Sequence, residues 1–201
     1  MRLSKTLLTI AGAIVILGAL VGVASAARLS TSSQVLRATF REVEAGGGNG
    51  FARCALTLEG SFHERTTTKV AERLIGLLTR ATLGACVTGS ATVLTETLPW
   101  HIRYDGFTGA LPNISSIRAR AVGAAFRVRE PLGIICLATS TATEPVLATF
   151  TREAAGVLTQ ATVGGEIRLG GECAGFRGIV TGSSTSFTVL NSTNRITVSL
   201  I

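Results

Sequence analysis

Two histidines, twelve acids and four cysteines are the side chains in this 201-residue chain with the most capacity for chemistry. His101 and Asp105 are the residue types of a general base and its orienting acid. Four residues along a regular strand, however, place them roughly 13 Å apart. His101 also alternates with Arg103 and Asp105, the pattern of a solvated strand face. His63-Glu64-Arg65 reads as a surface strand for the same reason. Glu59, Glu64 and Glu96 supply carboxylates for a glycoside-cleaving pair, but one Trp and one Tyr give a sugar little aromatic surface to stack on. Trp100 falls on an apolar strand face and reads as core. There is no G-x-S-x-G nucleophile elbow and no Gly-rich loop ahead of Lys-Ser or Lys-Thr. Two widely separated histidines and a single Asp form no zinc or calcium pattern. These residues assign no catalytic, cofactor or metal site.

The cysteines carry the clearer signal. Cys54, Cys86, Cys136 and Cys173 are even in number, with no C-x-x-C pair and no histidine at ligand spacing, so disulfides are expected rather than zinc. Of the three possible connectivities, Cys54–Cys86 with Cys136–Cys173 links neighbouring segments and leaves no thiol over. Each bridge then contributes about 3–4 kcal/mol on the chain-entropy view.

Disulfides imply an oxidising compartment, and the N-terminus supplies the address. Arg2 and Lys5 precede an uncharged apolar run from Leu7 to Val23, closed by Ala24-Ser25-Ala26. That is the pattern of a secretory signal, residues 1–26, cleaved after Ala26. The alternative is an uncleaved anchor that holds the protein to the membrane. No cysteine follows the run and no twin arginine precedes it, which points to the general export route without lipidation. Residues 27–201 then form the mature protein, secreted or cell-envelope-associated.

The mature chain carries 17 basic and 12 acidic side chains, all the bases but Lys69 being arginine. Codon bias in a GC-rich genome accounts for much of that. Arg118, Arg120, Arg127 and Arg129 are the exception worth following, because they flank Gly123. Apolar residues occupy odd positions at Ile117, Ala119 and Ala121 but even ones at Phe126 and Val128. A bulge at Gly123 would restore one apolar face and gather the four arginines on the other; a turn there is the other solution. Such a patch would hold an anionic cell-envelope polymer rather than nucleic acid; dispersed arginines on a solvated sheet are the plainer reading.

The elements that would position these residues read as short strands rich in Thr, Val, Ile and Phe, separated by glycine. In Leu98–Phe107, Leu98, Trp100, Ile102 and Tyr104 share one face. In Arg195–Ile201, Ile196, Val198 and Leu200 do the same, and the Asn191–Asn194 turn predicts pairing of this strand with Ser184–Leu190. Strands are also expected at Ser61–Lys69 and Ile114–Arg129, and as shorter pieces at Glu166–Leu169 and Arg177–Val180. Around residues 70–81 a short helix and a buried strand fit the pattern equally well. The mature start up to Ser32 carries no such pattern and reads as dispensable. With 46% apolar and only 15% charged residues, the chain is expected to fold as one all-β domain. A β-sandwich is favoured, with a β-barrel as the alternative.

"TLEGSFHERT" at Thr57–Thr66 and "LPWHIRYDGFTGALPNI" at Leu98–Ile114, with Cys86 between them, resemble a group of exported proteins of high-GC Gram-positive (actinobacterial) bacteria. The resemblance implies export and a single domain. It implies no activity and no cofactor. The function expected is therefore a secreted or wall-associated β-domain with a binding or structural role. The alternative is a secreted hydrolase whose site, drawn from His63, His101 and two glutamates, is assembled only by the fold.

Overall fold

The computed structural model describes residues 28–47, 50–110 and 113–201. The expected signal segment, residues 1–26, lies outside them. Fourteen strands and two short 3-10 turns make up the described chain: β1 (Arg28–Thr31), β2 (Val35–Gly47), β3 (Gly50–Phe62), β4 (Thr66–Thr68), β5 (Leu74–Thr88), β6 (Ser90–Val93), β7 (Trp100–Ala110), β8 (Asn113–Val122), β9 (Ala125–Arg129), β10 (Ile135–Thr139), β11 (Val146–Arg152), β12 (Leu158–Gly171), β13 (Arg177–Thr188) and β14 (Val198–Leu200). The fold is all-β, as the alternation of apolar and polar residues predicts. No helix forms at 70–81: the chain turns there and then runs as β5 from Leu74, with Ile75, Leu78 and Ala81 buried. Glycine and β-branched neighbours blur the helical period, and the backbone hydrogen bonds of β3 claim the segment.

Every ladder is antiparallel. The hydrogen-bonded order β11-β8-β7-β5-β3-β2-β13-β12 closes on itself, because β11 also pairs with β12 from Leu147↔Gly164 to Arg152↔Leu158. Eight strands thus form a ring, the barrel form of the fold. Closure leaves no free edge among those eight at that level. Bulges bend the long strands enough to close it. In β2 the register shifts between Phe40 and Val43, so Leu36, Ala38 and Phe40 point inward before the shift and Val43 and Ala45 after it.

The ring forks. β12 pairs with β11 through residues 158–164 and with β10 through residues 168–171. β10 carries β9, and β9 carries β6. The fork coincides with the parity flip at Gly123. Gly123 has φ +92°, where a side chain would be strained. Its N–H donates to the Ser140 carbonyl at 3.0 Å, and the Ser140 hydroxyl accepts from the Ala124 N–H at 2.9 Å. A turn between β8 and β9 is therefore pinned to the β10–β11 connection, and both strand pairs change direction together.

A three-stranded sheet, β14-β1-β4, lies where the ring interior ends at Leu29 and Val198. Its pairing corrects the expected C-terminal hairpin. The turn forms, with Thr188 bridging Arg195, but the chain then leaves β13 and β14 pairs with β1, Leu200 opposite Leu29. The apolar face is as expected for Ile196 and Val198, both buried, while Leu200 is half-buried. The same pairing corrects the expectation for the mature start: Leu29 is buried and β1 is the middle strand. Ser61–Lys69 is likewise two strands, β3 and β4, with a turn at residues 63–65.

Both disulfides have the expected connectivity. Cys54–Cys86 staples β3 to β5, and Cys136–Cys173 ties β10 to the segment after β12. They close loops of 32 and 37 residues. Disulfides of this kind belong to proteins of an oxidising, extracytoplasmic compartment. Among the described residues, no helix is long and apolar enough to cross a membrane.

Candidate functional site

The histidines are not brought to carboxylates. His101 is exposed on β7 opposite Leu77 of β5, whereas His63 lies beyond the end of β3, on the far side of β5. Two strand spacings alone separate β3 from β7 by roughly 10 Å. Neither imidazole has a hydrogen-bond or ion-pair partner among the described residues. Glu59 is held by Arg37 at 2.6 Å and Arg80 at 3.7 Å, while Glu64 and Glu96 are exposed elsewhere.

The four arginines around Gly123 lie on the outer wall in two pairs with different surroundings. On β8, Arg118 and Arg120 flank Asp105 at 3.2 and 2.7 Å, and Arg120 also meets Glu72 at 2.5 Å. Arg127 and Arg129, exposed on β9, have no carboxylate partner among the described residues. Arg118 and Arg120 on β8 and Arg127 and Arg129 on β9 are joined through the turn at Gly123.

Glu130, Cys136 and Cys173 bring a carboxylate and two sulfurs together in a buried cluster. Both sulfurs are bonded to each other, so they are not thiolate ligands. Glu130 instead accepts the Gly47 N–H through Oε1 at 3.1 Å, fastening the β9–β10 turn to the end of β2, while Oε2 has no partner.

What the fold does assemble is its interior. The inward faces of the ring enclose an apolar cavity of about 160 Å³. It extends from Leu29 and Val198 at the three-stranded sheet to Ala52, Val128 and Val180 beyond the fork. Eight strands make a barrel whose interior is just wide enough for side chains to fill. Here Ala119, Ala121, Ala148 and Ala161 occupy inward positions on the neighbouring strands β8, β11 and β12, with Ala38 on β2, and these small side chains leave space inside the ring. Larger residues between them, Phe40, Leu56, Trp100, Ile102 and Phe187, furnish an almost wholly hydrocarbon wall.

Tyr104 belongs to that wall and is buried, yet its hydroxyl has no hydrogen-bond partner. Burial pushes its pKa above 10.0, and the nearby Asp105 carboxylate adds to the rise against an opposing pull from Arg118. On the outer surface, Arg37, Glu44, Arg53 and Glu59 take the alternate positions of the same strands, in ion pairs. That is the inverse of a lipid-embedded barrel, which turns an apolar band outward.

Sequence reasoning placed Trp100, Ile102 and Tyr104 inside but did not find the cavity. Its signal was the alanines at alternate positions of β8, Ala119 and Ala121. A void needs small residues brought together from several strands, and which strands become neighbours is invisible in one strand. Comparison of the chain with protein-family profiles, curated proteins and solved structures returned no match.

Proposed function

We propose that this is an exported, secreted or envelope-associated binding domain that carries an apolar small molecule inside its barrel. The observation that carries the reading is the 160 Å³ hydrocarbon-lined cavity. At about 24 cal/mol per Å³, an empty void of that size costs roughly 4 kcal/mol, against a typical total stability of about 5–15 kcal/mol. An apolar guest recovers much of that cost. The N-terminal apolar run and the two disulfides support export, and the charged exterior suits a domain whose binding surface is internal.

The test is direct. The protein purified from an exporting host is extracted with organic solvent, and the extract is compared by mass spectrometry with that of a control protein from the same host. A stoichiometric apolar compound is expected. The hydrolase alternative is tested with His101→Ala in a substrate screen: loss of a turnover present in the parent, with the fold intact, would overturn the binding-domain reading.

A further inference from the structure

A hydroxyl in the cavity wall has no partner, and it specifies what an apolar guest must also carry. This inference rests on the reading of the interior as a binding site and names its ligand class. Tyr104 takes an inward position on β7, opposite Ala119 of β8, and both residues line the cavity. Tyr104 is only 2% exposed, and its hydroxyl has no hydrogen-bond partner among the described residues. A buried hydroxyl left unpaired is a cost to the fold. Other polar side chains of the wall are engaged elsewhere. The Trp100 indole N–H donates to Thr97 Oγ1 at 2.9 Å, and the Thr31 hydroxyl donates to the Arg65 carbonyl at 3.3 Å. Arg120 is held by Asp105 at 2.7 Å and Glu72 at 2.5 Å, and Thr67 lies on β4 of the three-stranded sheet, opposite Leu29. An ordered water needs about two to four polar partners, and this almost wholly hydrocarbon wall offers few beyond the phenol itself.

A guest can supply the partner instead. Because burial, then Asp105, disfavours the phenolate, the phenol keeps its proton and acts as a donor. The matching group is a neutral acceptor oxygen, as in a carbonyl or an ether. An ionised head would enter the same hydrocarbon surroundings without a countercharge, since Arg120 is already paired. We propose that the barrel takes a small, mainly hydrocarbon molecule with one neutral acceptor oxygen, which accepts a hydrogen bond from the Tyr104 hydroxyl. Volume bounds its size. A void of about 150 Å³ lined by aliphatic and aromatic side chains takes benzene. The 160 Å³ here therefore admits a guest of roughly six to eight non-hydrogen atoms.

The experiment is calorimetric titration of the delipidated protein and its Tyr104→Phe variant with cyclohexanone and methylenecyclohexane. The two compounds have nearly the same outline and differ by an oxygen in place of a CH₂ group. The parent is expected to bind cyclohexanone at least as tightly as the hydrocarbon. In Tyr104→Phe, where the carbonyl is buried unpaired, the hydrocarbon is expected to win, the affinity ratio changing by about tenfold or more between the two proteins. Thermal melts of both proteins establish that the variant is folded. An affinity ratio equal in parent and variant would overturn the role of Tyr104 and leave the interior site standing. Binding of neither compound to either protein would overturn the interior site itself.

Discussion

Tyr104 is the only tyrosine in the chain, so its ionisation can be followed by tyrosinate absorbance without ambiguity. The folded protein holds this proton above the pH at which the unfolded chain releases it, because burial, then Asp105, disfavours the phenolate. Below pH 10 the group contributes no slope. Above it, the unfolded state binds fewer protons than the folded one, so stability falls as pH rises until the folded pKa is passed. Tyr104→Phe is expected to remove that alkaline slope. It is also expected to raise stability at neutral pH by up to about 1–3 kcal/mol, since a buried hydroxyl without a partner is eliminated. Urea melts of both proteins at pH 7 and pH 11 check both statements; a parent melt with no alkaline loss would contradict the burial of the phenol.

At the scale of elements, the short β1 matters more than its four residues suggest. It pairs with β14 on one side and β4 on the other, and Leu29 closes the end of the interior. Deleting Arg28–Ser32 is expected to lower the thermal midpoint about as much as deleting Arg195–Ile201. Each deletion removes a strand of one three-stranded sheet and exposes aliphatic side chains worth about 1.5–3 kcal/mol apiece. Leu29→Ala alone should cost about 2–5 kcal/mol. A thermal melt in which the N-terminal deletion is silent would contradict the pairing.

The β3–β5 seam makes a second element-scale prediction. A Cβ on Gly60 would lie 2.2 Å from the Leu77 carbonyl oxygen, and one on Gly76 would lie 2.4 Å from that of Ser61. Both obstacles are backbone of the partner strand, which has no rotamer with which to yield. Gly60→Ala and Gly76→Ala should each destabilise by about 1–3 kcal/mol through forced backbone shifts, read as a drop in denaturation midpoint. Their effects should not add, because the two sites share one seam.

For the whole molecule, cavity and fold are coupled by mass action. A guest held at 100 times its dissociation constant adds about 2.7 kcal/mol to folding stability, so the midpoint of the delipidated protein should rise with guest concentration. The disulfides act in the same balance: on the chain-entropy view their loops of 32 and 37 residues are worth about 3–4 kcal/mol each. Non-reducing peptide mapping should recover Cys54 with Cys86 and Cys136 with Cys173.

Features local to one strand were legible in the sequence alone. Trp100, Ile102 and Tyr104 against His101, Arg103 and Asp105 is a period-two pattern, and it predicted which side chains are buried. The parity flip across Gly123 marked a break that the structure realises as a turn. The even cysteine count and the spacing of neighbours predicted both bridges. What tertiary structure alone decided was partnership. Residues 70–81 had two local solutions, and the ladder with β3 selected the strand. Glu166–Leu169 and Arg177–Val180 looked short because glycine and serine weaken strand propensity; in the sheet they sit within β12 and β13, whose neighbours supply the hydrogen bonds that their own side chains do not favour. The C-terminal strand left its hairpin for β1, and β11 closed the ring. These outcomes depend on hydrogen bonds between segments far apart in the chain, which no local pattern encodes. The cavity exists only because closure of the ring gathers small residues from separate strands, Ala119, Ala148 and Ala161 among them, onto its inner face.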